Sequence, residues 1–231
     1  MKTVSTQESV RNFRNATRIQ ESITSGWERT ALLWLAVRMP SSVTSDQLTL
    51  LGFVSMLLAG ASYLLARWHP VGLWLATVCL ALNWFGDSLD GTLARVRGRQ
   101  RPRYGFYVDH MIDSFGALFL MSGLAASTYV DWRIAGGMLV AFLLLSIESY
   151  LASYTLGVFR LSFAKFGPTE IRILLAAGNV VLWFRPDIKV PGLPYRLFDF
   201  GGLVAVVAMG IMAVVAAVWH TRELYRQETL P

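Results

Sequence analysis

The sequence predicts an all-α integral membrane protein of six transmembrane helices with an N-terminal cytoplasmic interfacial helix. Three observations carry this. Hydrophobic residues fill 54% of the 231 positions and charged residues only 16%. With a mean hydropathy of +0.46, the chain is too apolar for an ordinary soluble domain. Apolar runs of about 20 residues, the length that crosses a bilayer as helix, recur between short polar breaks. Arginines crowd alternate loops, as the positive-inside rule requires of the cytoplasmic side. The formal charge of +6 is therefore assigned to cytoplasmic loops, and nucleic acid is not an expected partner.

Residues 1–40 are read as a cytoplasmic or interfacial segment. Its polar beginning, to about Thr30, does not fit the apolar core of a signal peptide. Trp27, Leu32, Leu33, Leu35 and Val37 mix with Glu28, Arg29 and Arg38, which suits a helix on the membrane surface ending at Pro40. A helix packed on the bundle is the alternative. A six-helix membrane domain is expected over 41–220. Its first span runs over 48–66, closed by Arg67 to Pro70. The second covers 71–90 and continues as helix towards Arg95, and the third covers 105–129. The fourth covers 134–156, a connector fills 157–168, and the fifth covers 169–184. Three prolines, Pro186, Pro191 and Pro194, break the loop over 185–200. The sixth span covers 201–219, and 221–231 is a cytoplasmic tail. Trp68, Trp74, Trp132 and Trp183 are read as interfacial anchors. Cys79, the one cysteine, falls in an apolar run and reads as a small buried hydrophobe.

Charge orients the domain. Arg95, Arg97, Arg99, Arg101 and Arg103 lie between the second and third spans, and both ends of the chain are basic. Both termini are therefore expected in the cytoplasm, in a multi-pass protein of a bacterial-type inner membrane.

Four aspartates stand against this apolar background. Asp87, Asp90 and Gly91 fall at i, i+3 and i+4, and Gly105, Asp109 and Asp113 at i, i+4 and i+8. Each set shares one helical face. Carboxylates at membrane depth mark a cavity, a partner or a site, and two pairs on facing helices make a hard, oxygen-lined cation site. One or two magnesium ions, with manganese as a substitute, would polarise a phosphoryl group there. Gly91 and Gly105 leave room for a close approach, and Arg95, one turn beyond Gly91, suits a phosphate oxygen. Two other readings stay open: a structural network of Asp–Arg pairs, and an ion-coupled transporter, whose site belongs nearer the bilayer midplane.

The run Asp87-x-x-Asp90-Gly91-x-x-Ala94-Arg95, followed by Gly105-x-x-x-Asp109-x-x-x-Asp113, resembles the signature of the CDP-alcohol phosphotransferase family, with a linker between the halves about a residue longer than usual. The intact motif argues against a scaffold in which it has decayed. The resemblance implies cleavage of a CDP-alcohol, release of CMP, and transfer of a substituted phosphate to a lipid or polyol hydroxyl in phospholipid synthesis. It implies magnesium at Asp87, Asp90, Asp109 and Asp113, and Asp113 as the base that takes the acceptor's proton. Gly91, Ala94, Arg95 and Gly105 match motif positions, Gly91 and Arg95 those against the diphosphate. It also implies a homodimer among membrane lipids. Asp46, Gln47, Leu48 and Thr49 match a patch that contacts the cytidine end, although Ser45 stands where proline is common. A plain helix cap by Ser45 or Asp46 is the alternative for that patch.

His110 separates subgroups. An Asp-His pair resembles the choline and ethanolamine phosphotransferases, and His110 is a second candidate base. The stretch from Phe166 to Arg172 weakly resembles the same subgroup. It nominates Glu170 and Arg172 for the substrate, while Arg160 and Lys165 are read as topology signals.

Overall fold

The computed structural model describes residues 17–19, 25–160, 168–190, 192 and 195–228. Among these, seven helices follow in order: α1 (Ser25–Arg38), α2 (Ser45–Ala66), α3 (Val71–Val96), α4 (Pro102–Ala126), α5 (Trp132–Thr155), α6 (Pro168–Phe184) and α7 (Leu197–Gln227). Two three-residue strands, β1 (Thr17–Ile19) and β2 (Val158–Arg160), pair in parallel with Thr17 opposite Val158. β2 lies in the stretch expected as a plain connector. Lys165, Phe166 and Gly167 lie outside the described residues.

Local chemistry sets the ends of the helices. Thr44 caps α2: its hydroxyl accepts from Gln47 N–H at 3.2 Å, and Gln47 Oε1 accepts from Thr44 N–H at 2.8 Å. The cap is thus Thr44 and neither Ser45 nor Asp46, because the reciprocal pair needs the glutamine three residues on. Pro102 opens α4 three residues before Gly105, where its missing N–H would have no partner in any case. α7 runs on through 221–227, expected as tail, since that stretch contains neither glycine nor proline.

Three helices, α2, α5 and α7, are long and apolar enough to cross a membrane by length and composition. The expected second, third and fifth spans are helices as well. Polar residues such as Asn83, Asp87 and Asp90 interrupt α3, Asp109 and Asp113 interrupt α4, and α6 has only 17 residues.

The core is drawn around α2. A Cβ on Gly60 would lie 2.2 Å from the Phe119 carbonyl oxygen, and one on Gly86 would lie 2.5 Å from that of Leu48. Only glycine permits α4 and α3 to approach α2 so closely. Tyr63, Leu73, Leu80 and Leu124 fill the space between. One buried polar chain crosses it: Tyr63 Oη donates to Asn179 Oδ1 at 2.9 Å, and Asn179 Nδ2 donates to Thr77 Oγ1 at 3.1 Å. α1 lays Leu32 and Ala36 on Leu48, Leu89 and Leu93, while Trp27, Leu33, Trp34 and Val37 stay exposed. It therefore packs on the bundle and still shows an apolar flank.

Candidate active site

The N-terminal half of α2, the C-terminal half of α3 and the N-terminal half of α4 meet where Gly86 lets α2 rest on α3. All four aspartates line one cavity of about 30 Å³ there, together with Thr49, Asn83 and Arg172. The helical spacing read from the sequence is therefore realised in space.

Each helix supplies its carboxylates differently. Asp90 is buried at 6% exposure. Thr49 Oγ1 donates to its Oδ2 at 2.6 Å, and the Gly91 N–H donates to its Oδ1. The Ser45 hydroxyl donates to the Asp90 carbonyl oxygen. Asp87 is half-buried and forms an ion pair with Arg172 of α6, N to O 2.6 Å. Asp109 and Asp113 come from the facing α4, with Asp113 the more exposed. Asn83 Nδ2 donates to the Gly52 carbonyl oxygen at 2.9 Å, which leaves Asn83 Oδ1 buried without a hydrogen-bond partner beside the carboxylates. This set of hard oxygen donors fits a divalent cation. Among the described residues, no three acidic, histidine or cysteine side chains converge closely enough to hold an ion as they stand; Arg172 and Thr49 hold Asp87 and Asp90.

A second, larger hollow of about 400 Å³ adjoins at the start of α2, lined by Thr44, Ser45, Asp46, Ala94 and the arginines of the α3–α4 loop. Ser45 belongs to this groove and bonds to Asp90, so the two spaces meet at one turn. Arg97 donates to the carbonyl oxygens of Met39 at 3.0 Å, Pro40 at 2.8 Å, and Val43. It thereby fixes the turn that carries Thr44 to Thr49. Arg101 pairs with Asp46 and lies over the Tyr104 ring at 4.1 Å. The volume is that of a small-molecule pocket, and its wall is cationic.

The remaining sequence candidates divide. Nothing lies within 4 Å of a Cβ built on Gly105, and only Arg95 lies near Gly91. Arg95 is exposed and donates to Thr92 Oγ1 at 2.9 Å. Gln47 is engaged in the α2 cap, and Leu48 is buried beneath α1 at 3% exposure. Glu170 is buried in the first turn of α6. His110 does not line the cavity: its Nδ1 meets the Phe106 carbonyl oxygen, and its ring lies 4.1 Å from Phe106 and 4.6 Å from Tyr150 between centroids. One residue's step along the helix accounts for this, because it rotates His110 about 100° from Asp109. Sequence reasoning missed Asn83, Arg97, Arg101 and the buried Glu28. For Asn83 a signal existed, since it lies one turn before Asp87 on the same face.

The sequence pattern of the CDP-alcohol phosphatidyltransferase family matches residues 42–221. The archaetidylinositol phosphate synthase of Pyrococcus horikoshii is 35% identical over 113 residues, which is 49% of this chain and 53% of that protein. The phosphatidylinositol phosphate synthase of Cutibacterium acnes is 30% identical over 105 residues, 46% of this chain and 48% of that protein. The chain spans about half the length of the curated relatives it matches.

Proposed function

The chain belongs to the CDP-alcohol phosphatidyltransferase family, and on that premise we propose that it transfers a substituted phosphate from a CDP-alcohol to the hydroxyl of a second alcohol, releasing CMP, in phospholipid synthesis. The observation that carries the proposal is the cavity on which four aspartates and Arg172 converge beside a cationic groove. Nothing in the fold or in the relatives supports the transporter reading.

The cytidine diphosphate of the donor suits the groove, with Asp46 at its nucleoside end and Arg95, beside the open surface of Gly91, on phosphate oxygens; Leu48, buried beneath α1, and Thr49, held on Asp90, lie outside the groove. A divalent ion held among Asp87, Asp90, Asp109 and Asp113, magnesium by preference, would neutralise these carboxylates and polarise the phosphoryl oxygens. Asp113 takes the proton of the acceptor hydroxyl as its oxygen bonds to phosphorus, and the bond to the departing CMP oxygen breaks.

Two relatives carry names that end in inositol phosphate synthase. That likeness favours a CDP-linked lipid as donor and a phosphorylated polyol as acceptor. Arg172, reaching the cavity from α6, suits the acceptor's phosphate. The competing choline or ethanolamine reading leaned on His110, which packs among aromatic rings instead of in the cavity. Six spans, cytoplasmic termini and site, an inner-membrane location, α1 at the interface and a homodimer complete the proposal. The runs of exposed apolar side chains on α5 and α7 support the membrane part of it.

CMP release decides. CDP-diacylglycerol with inositol phosphate should yield CMP in magnesium and none in EDTA. CMP from CDP-choline with diacylglycerol, and none from the first pair, would restore the other subgroup.

A further inference from the structure

Away from the cavity, three donors converge on a single buried carboxylate oxygen. Glu28 of α1 is 4% exposed. Its Oε1 accepts from Trp84 Nε1 at 2.8 Å, Ser88 Oγ at 3.1 Å and Thr169 Oγ1 at 2.9 Å. Glu28 Oε2 is buried without a hydrogen-bond partner. Burying a carboxylate is expensive, and donors offset only part of that. If α1 had only to adhere, an apolar residue would serve better, as Leu32 and Ala36 do one and two turns further on.

The partners suggest what the expense secures. Trp84 and Ser88 lie one turn apart on α3, and Ser88 adjoins Asp87. Thr169 sits in the first turn of α6, three residues before Arg172. Asp87 and Arg172 join the same two helices at 2.6 Å. Two carboxylates therefore bridge α3 and α6 side by side, Glu28 from outside and Asp87 from the cavity. Gripping two donors one turn apart fixes the rotation of α3 about its axis. Gripping Thr169 fixes where α6 begins.

The geometry points to Glu28 as a positioning residue of the transfer site: it locks α3 and α6 so that Asp87 and Arg172 meet across the cavity and the acceptor side is aligned. Resting as it does on the phosphotransferase reading of that cavity, the assignment needs a test that separates the two. Steady-state kinetics of Glu28→Ala should show kcat/KM for the acceptor falling on the order of tenfold to a hundredfold, the scale of a small misplacement, with the donor KM unchanged. Glu28→Gln, which keeps an acceptor oxygen and nearly the same volume, should restore most of the loss. Thr169→Val removes one donor at constant volume and should give the same defect on a smaller scale, even if Glu28→Ala does not fold. Hydrogen exchange should quicken at amides 172–175 of α6 in these variants and hold steady in α4. Parental kinetics and exchange in Glu28→Ala would overturn the assignment. So would a Gln variant as impaired as Ala, or an equal rise in both KM values with faster exchange throughout, which would mark a merely structural carboxylate. If the parent protein released no CMP from any CDP-alcohol, the proposed function would fall, and local exchange in α6 would still decide whether Glu28 acts as the clamp.

Discussion

Between α2 and α3, a Cβ on Gly86 would stand 2.5 Å from a backbone oxygen, whereas on α5 and α7 a Cβ on Gly136 or Gly210 meets nothing within 4 Å. Where α7 does come close to α5, at Gly202, the nearest atom belongs to the Ile134 side chain and not to backbone. Burial follows the same division: 39% of the apolar stretch of α2 is buried, against 11% of that of α7. One half of the molecule is packed backbone on backbone and holds the aspartates. The other is packed through side chains and turns most of its apolar surface outwards. The difference teaches where rigidity is needed. Carboxylates that must share a small cavity need helices whose separation cannot drift, while an outward apolar surface needs only an apolar surrounding.

The largest expected effect lies inside the rigid half. Asp113→Asn should lower kcat by about 10²- to 10⁴-fold, the range of a lost general base, with the unfolding temperature in detergent nearly unchanged; full turnover would remove Asp113 from the chemistry. Next comes the frame itself. Gly86→Val should destabilise by about 1–3 kcal/mol or more, as overpacking does, read by thermal unfolding. An undisturbed transition would show that the contact between α2 and α3 is looser than it stands here. Arg172→Gln should raise the acceptor KM about tenfold, the worth of one charge-assisted contact, and leave the donor KM alone. A selective rise in the donor KM would move Arg172 to the other substrate. The smallest effect belongs to the open half: Gly136→Ala should shift stability by less than about 1 kcal/mol and in the stabilising direction. A loss as large as that from Gly86→Val would erase the contrast.

The sequence made the aspartates legible because helical periodicity is local: Asp87 and Asp90, or Asp109 and Asp113, declare a shared face within two turns. Thr44 was legible for the same reason through Gln47, although the neighbouring Ser45 and Asp46 drew the cap reading. What stayed hidden depends on distant pairing. Nothing near Arg172 announces Asp87, 85 positions away, and nothing near Glu28 announces Thr169, 141 positions away. His110 adjoins Asp109 in the sequence and diverges from it on the helix, so its place among Phe106 and Tyr150 was not legible either.

The buried line from Tyr63 through Asn179 to Thr77 has a consequence for assembly. In an apolar surrounding an unpaired amide is costly, so α6 gains little by docking before both α2 and α3 are in place. A slip of α6 by one residue would turn Asn179 about 100° and strand its amide. The three side chains thus favour one register of α6 over its neighbours.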